Sequence, residues 1–174
     1  MEAVAAGAER ANRLAPSAAA RLIALLLPAA LLGGALGSQY LGGLHPCEMC
    51  YWQRWPHAAA ILLAGLAFTG PAQSSRSRTF TVLAALAIAV SGAIGVYHAG
   101  VEAKIFEGFT QCTALPTKGL SAAELLNQIR HAPLIRCDEV QFRFLGISMA
   151  GWNAILSLGG AAFILILSLK PKRA

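Results

Sequence analysis

The chemistry of this chain concentrates in Pro46-Cys47-Glu48-Met49-Cys50-Tyr51-Trp52-Gln53-Arg54. Two cysteines with two residues between them can close a small, strained disulfide that is readily reduced, which suits electron shuttling better than stapling a fold. The thiolate is the reactive form, and a helix amino terminus or a nearby cation favours it. Arg54 lies four residues after Cys50, one turn on and on the same face of a helix that has begun by then. Such an arginine can hold an anionic sulfur or donate to the carbonyl oxygen of a lipophilic oxidant. A second pair, Cys112 and Cys137, is 25 residues apart.

Other uses of these cysteines fit less well. A c-type haem site needs histidine directly after the second cysteine, and Tyr51 stands there. Structural zinc usually takes two close-spaced pairs, so the wide second pair argues against it and no metal is expected. A structural disulfide between Cys112 and Cys137 is the stronger alternative, since closing that loop would stabilise it by roughly 3–4 kcal/mol on the chain-entropy model. For that pair alone, structural and redox roles stay equally open. A CxxC facing the same compartment favours redox.

The elements that must position these residues follow from composition. Of 174 residues, 56% are hydrophobic and 13% charged, against about a quarter charged in soluble domains. Mean hydropathy is +0.58. The net charge of +6 comes from short clusters rather than a basic stripe, so nucleic acid is not an expected partner. Uncharged stretches of 26, 21, 23 and 26 residues lie between Arg21 and Glu48, Arg54 and Arg76, Arg78 and Glu102, and Arg143 and Lys170. A membrane helix needs roughly 20 apolar residues. The expectation is an all-α membrane protein with four transmembrane helices near 22–41, 56–72, 79–99 and 146–169. The second span is the weakest, being short and ending at Thr69-Gly70-Pro71.

Orientation follows from the basic residues. The amino terminus, the 73–78 connection and the carboxyl tail hold eight bases against Glu2 and Glu9, whereas the 42–55 and 100–145 segments hold six bases and six acids. Both termini are therefore expected in the cytoplasm, and both cysteine-bearing loops outside. A cleavable signal ending near Ala35-Leu36-Gly37 is the rival reading, but the apolar run continues past it through Leu41. Residues 1–20 read as a flexible Ala-rich extension. In the long second loop, Ser121-Ala122-Ala123-Glu124 has capping-box spacing. It opens a short helix near 122–131 whose Leu125, Leu126 and Ile129 would lie against the bundle or in the membrane interface.

With its span layout, the Pro-Cys-x-x-Cys-x-x-Gln-Arg motif at 46–54, the separated loop pair and the Cys-Asp-Glu…Phe-Leu-Gly stretch at 137–146, the chain resembles the DsbB family of bacterial inner-membrane disulfide bond formation proteins. That resemblance implies a thiol:quinone oxidoreductase, with ubiquinone or menaquinone as cofactor and a DsbA-like periplasmic thiol oxidase as partner. It implies that Cys47 and Cys50 are the pair reoxidised by quinone, with Cys50 the thiolate against the ring. Cys112 would take the mixed disulfide with the oxidase and Cys137 would be its partner. Arg54 and His98 would belong to the quinone site. Trp52 and Trp55 read first as aromatic-belt residues and second as pocket walls. Competing readings are a vitamin K epoxide reductase-like quinone-linked thiol reductase, a non-enzymatic membrane protein with structural disulfides, and a metal-binding or transport protein. The last would want carboxylates or histidines in the spans, where only His57 and His98 occur. Four cysteines allow three pairings, and the sequence leaves the resting one open.

Overall fold

The structure, a computed structural model, describes residues 2–108, 121–131 and 136–169, with backbone only for 2–16, 125 and 128–131. Its elements run α1 (Glu2–Tyr40), α2 (Glu48–Ala67), α3 (Ser75–Glu102), α4 (Ala122–His131), β1 (Arg143–Phe144), β2 (Ile147–Ser148) and α5 (Met149–Leu169). The helices α1, α2, α3 and α5 pack in a ring, each against the next, with α5 closing onto α1.

Among the described residues, three helices are long and apolar enough to cross a membrane: Ser17–Tyr40 of α1, all of α3 and all of α5. Expected and observed bounds differ most in α2. Its helix runs 48–67 rather than 56–72, because Cys47 caps it early and the turn at 68–70 ends it before Pro71. Glu48, Gln53, Arg54 and His57 crowd its first half and leave it too polar to count as a fourth such helix. The expected span from 146 begins instead with an antiparallel hairpin, Arg143 opposite Ser148 and Phe144 opposite Ile147. Leu145 and Gly146 form its turn with φ of 51° and 79°. Positive φ at both central residues matches the twist of a two-residue hairpin. The Ala-rich start, expected to be a flexible extension, is helical in its backbone from Glu2, in keeping with alanine's high helix propensity. The short loop helix occupies 122–131 as expected. Its capping box is formed, with the Ser121 amide donating to Glu124 Oε2 at 2.9 Å and the Glu124 amide to Ser121 Oγ at 3.4 Å. The Ser121 hydroxyl, donating to Glu124 Oε2 at 2.6 Å, and then the Ser121 amide hold the Glu124 carboxyl below its ordinary pKa.

The bundle is apolar outside and small inside. Leu26, Leu62, Leu86, Val90, Phe163 and Ile166 are exposed, whereas Ala24, Ala60, Ala64, Ala84, Ala85, Ser91, Ala154, Ser157 and Ala161 are buried. Bilayer-embedded helices pack this way, through small residues that let backbones approach. Gly95 of α3 shows it best. A Cβ there would meet the Ala154 amide nitrogen at 3.0 Å and the Ala150 carbonyl at 3.1 Å, backbone atoms of α5 that cannot step aside.

Two arginines tie helix ends together and set α1 antiparallel to α2. Arg21 Nη1 donates to the Ala67 and Gly70 carbonyls at 3.2 and 3.0 Å, where α2 ends, and its guanidinium lies 4.6 Å from the Phe68 ring centroid. Arg54, near the start of α2, donates to the Gln39 side chain and the Ala35 carbonyl at the far end of α1. One end of the bundle thereby collects the end of α1, the start of α2, the end of α3 and the start of α5.

Gly95→Ala is expected to lower stability by about 1–3 kcal/mol by forcing α3 from α5. Gly65→Ala, with open space around it, should leave the thermal midpoint in detergent unchanged or slightly raised. Equal midpoints for Gly95→Ala and wild type would refute this close-packed contact.

Candidate active site

Cys47 occupies the N-cap of α2 with φ −77° and ψ 173°, and its sulfur accepts from the Cys50 amide at 3.4 Å. Cysteine is an uncommon cap. Its placement puts Cys50 in the first turn, where the helix dipole favours a thiolate. The two sulfurs are 3.0 Å apart, as free thiols.

Cys137 reaches the same point from the second loop. Cys47 Sγ, Cys137 Sγ and a ring nitrogen of His98 lie within 4.8 Å of one another, all three residues buried. The 136–141 segment is pinned by polar contacts at its margin. Asp138 binds Lys104 and Arg136 at 2.5 and 2.7 Å, which holds its carboxyl well below the carboxylate range. Gln141 exchanges two hydrogen bonds with the His45 backbone, at 3.1 and 2.6 Å. These ties lay Cys137 over the CxxC.

The electrostatics separate the two members of the CxxC. Cys47 is pushed far above an ordinary thiol by hydrogen bonding to Cys137 and Cys50 and by burial. Cys50 is lowered, first by the hydrogen bond from Cys47 and further by the charge of Arg54. Of the two, Cys50 is the thiol that more readily gives up its proton.

Behind Cys47 runs a buried polar chain that the sequence reading missed apart from His98. Gln53 Nε2 donates to His98 Nδ1 at 2.8 Å, and Gln53 Oε1 accepts from Asn153 Nδ2 at 2.7 Å. Asn153 Oδ1 accepts from His57 and Ser157, both at 2.9 Å, and Ser91 Oγ donates to the Gln53 carbonyl. These bonds fix the amide orientations. With Nδ1 accepting, the His98 proton sits on Nε2, 3.6 Å from Cys47 Sγ and 3.8 Å from Glu102 Oε1. A polar residue every turn along an apolar helix is the signal that could have found Gln53 and His57. Asn153 sits alone in an apolar stretch.

A cavity of about 590 Å³ opens beside these groups. Ala30, Leu31, Leu32, Gly34 and Ala35 of α1 form one wall, and Cys47, Cys50, Gln53, Arg54, His57, His98 and Asn153 face it. Trp152 lines it too, but Trp52 and Trp55 do not. Arg54 Nε is a buried donor with no partner among the described residues. The structure thus brings together Cys47, Cys50, Cys137, Arg54 and His98. Cys112 lies outside the described residues, as do Leu120 and the side chains of Leu125 and Ile129.

A family model described as Disulfide bond formation protein DsbB matches residues 17–167. The disulfide bond formation protein B of Xanthomonas oryzae pv. oryzae is 30% identical over 156 residues, covering 87% of this chain and 90% of the relative. That of Marinobacter nauticus is 27% identical over 141 residues, covering 76% and 80%. An uncharacterized protein of Rickettsia prowazekii is 23% identical over 153 residues, covering 87% of each chain. No solved structure matches. A helical chain with apolar outer faces, a CxxC at a helix mouth and a family match over most of its length is a membrane protein of disulfide bond formation, and it belongs to the DsbB family.

Proposed function

We propose that this protein is a thiol:quinone oxidoreductase of the bacterial inner membrane that reoxidises a DsbA-like periplasmic thiol oxidase. In this reading all four long helices cross the membrane as a single domain, with both termini cytoplasmic and both cysteine-bearing loops periplasmic. The observation that carries it is the position of Cys47, whose sulfur lies 3.0 Å from Cys50 and within 4.8 Å of Cys137. One sulfur can therefore exchange partners between the exported loop and the helix mouth.

Each exchange moves one bond. The reduced oxidase attacks a Cys112–Cys137 disulfide at Cys112 and leaves oxidised, which frees two thiols. Cys137 then attacks Cys47 in a Cys47–Cys50 disulfide. The new bond is Cys47–Cys137, and Cys50 departs as a thiolate stabilised by the α2 amino terminus and Arg54. His98 Nε2–H faces the Cys47 sulfur and can donate to negative charge building there. Reclosure of both disulfides leaves two electrons and two protons for an acceptor.

The cavity suits a quinone headgroup. It is walled by apolar side chains of α1, it borders Cys50, and the unpartnered Nε–H of Arg54 can serve a carbonyl oxygen. A quinone bound there supplies the two-electron, two-proton acceptor. Arg54 and His98 are the residues that would orient it.

Three outcomes test this reading. Cys50→Ser should fold, with an unchanged thermal midpoint, yet lose quinone-dependent oxidation of a reduced thiol partner; retained turnover would end the assignment. Arg54→His should raise the apparent KM for a soluble quinone about tenfold or more while Cys47, Cys112 and Cys137 still exchange among themselves. Site-resolved alkylation of the reduced protein across pH 5–9 should label Cys50 before Cys47. A depressed pKa keeps the thiolate present as pH falls below the ordinary range near 8.5, whereas the raised Cys47 stays protonated; equal pH midpoints would contradict the assigned polarity.

A further inference from the structure

We infer that the reduced protein holds a binding site for one thiophilic divalent cation, zinc or cadmium in class, formed by Cys47, Cys50, Cys137 and His98. Sequence spacing argues against such a site, because Cys112 and Cys137 make no close pair. The fold replaces that missing pair by laying Cys137 beside the CxxC and by turning His98 Nε2 toward it.

The donor geometry is near that of a bound ion. Tetrahedral zinc, with Zn–S of about 2.3 Å and Zn–N of about 2.0 Å, sets its ligands roughly 3.8 Å apart for two sulfurs and roughly 3.5 Å apart for sulfur and nitrogen. Cys47 Sγ and His98 Nε2 already stand 3.6 Å apart. Cys137 joins them within 4.8 Å, and Cys50 Sγ, 3.0 Å from Cys47 but outside that group of three, takes the fourth position by turning about its side-chain bonds. Cys47, His98 and Cys137 are each 4% exposed, so little water competes for the ion.

Three thiolates and one imidazole are a ligand set typical of closed structural zinc sites. Binding through Nε2 moves the His98 proton to Nδ1. A turned Gln53 amide would present its oxygen there, with Asn153 turning in step, and supply the outer-shell hydrogen bond that zinc-bound histidines keep.

Binding changes no oxidation state. The three thiols lose their protons to solvent as three S–metal bonds form. A disulfide at any of these cysteines removes its sulfur from the set, so the site exists only in the reduced protein. The metal also occupies the sulfurs that the proposed exchange needs, and inhibition, unlike binding, rests on that proposal. Zinc would therefore trap the enzyme after it has accepted electrons and before it has passed them on.

The test uses full-length protein in detergent, reduced, freed of reductant without air, and titrated with Cd²⁺ while thiolate-to-cadmium absorption is followed in the ultraviolet. One Cd²⁺ per chain is expected, with a band that Cys47→Ser or Cys137→Ser each lowers by about a third, as fits three thiolate ligands. Each should also weaken affinity more than about 100-fold, beyond the 10–100-fold cost of losing an outer-shell partner. His98→Ala should keep the band and weaken affinity, Cys112→Ser should change neither, and oxidised protein should give no band. Zn²⁺ should displace Cd²⁺ and halt thiol oxidation until a chelator is added. A reduced preparation that oxidises thiols on adding quinone yet shows no saturable band at micromolar Cd²⁺ would overturn the metal site and leave the oxidoreductase reading intact. A band unchanged by Cys137→Ser would overturn it as well, reducing it to ordinary binding by the CxxC pair.

Discussion

The position of one sulfur atom organises this molecule. Cys47 sits where the chain stops being a loop and becomes helix α2, and as N-cap its sulfur accepts from the Cys50 amide. The same atom touches Cys50, approaches Cys137 and faces His98. A cap is a fixed point: backbone geometry on both sides is set by the helix that starts there. Cys50 is one turn into the helix and Cys137 belongs to a different loop, so only an atom at this junction can reach both. Moving the start of α2 by one residue would rotate Cys50 by about 100° around the helix axis and break the arrangement.

Keeping that junction in place at the boundary of an apolar bundle requires charges and polar groups to be satisfied locally. Arg21 and Arg54 do this in the same way at opposite ends of the α1–α2 pair. Each donates to carbonyl oxygens near a helix end, Arg21 to those of Ala67 and Gly70 and Arg54 to that of Ala35. Arg54 also lies 5.1 Å from the Tyr51 ring centroid. A charge at such depth is costly unless it is paired with something. Here it joins the last turns of α1 to the second turn of α2, so a cation beside Cys50 is also a structural tie. The chain from His98 through Gln53 and Asn153 to His57, Ser91 and Ser157 follows the same logic without charge. Each member is bonded to the next, which is the condition under which a buried polar network rigidifies a core.

Much of this was legible in the residues. Charge-free stretches located α1, α3 and α5 to within a few residues apart from the long start of α1, and Ser121 with Glu124 located α4. The CxxC with Arg54 marked the helix mouth. Three things were not legible. The apolar span of α2 was placed at 56–72, beginning eight residues past the start of the helix at Glu48, because hydropathy finds apolar centres and not the polar turn in which Cys47 acts as cap. The contact between Cys137 and Cys47 spans ninety residues and depends on Lys104, Asp138, His45 and Gln141, whose pairing no local pattern encodes. Asn153 lies in a stretch whose hydropathy reads as plain membrane helix, so its bond to Gln53 emerges only when α2 and α5 both pack on α3 and meet across the bundle.

The contacts that hold Cys137 differ in kind from those that hold Cys47. The segment carrying Cys137 is tied to the rest of the chain by the exposed Lys104–Asp138 ion pair and the Gln141–His45 hydrogen bonds, exposed contacts of a kind that contribute little individually in water, besides the burial of Cys137 itself. Cys47 is fastened by a helix start, a buried histidine and the packing of Met49 and Val101. Local opening follows the weaker contacts first. In the proposed exchange the loop sulfur would leave and return while the helix-mouth sulfurs keep their geometry. The proposed disulfide relay would use this division, with one partner travelling to meet a bulky protein and the other staying aligned with a small acceptor in the bilayer. Burial of Cys137 in the docked arrangement adds a further constraint: the proposed exchange with Cys47 would take place away from water, where a stray thiol in solution cannot intercept it.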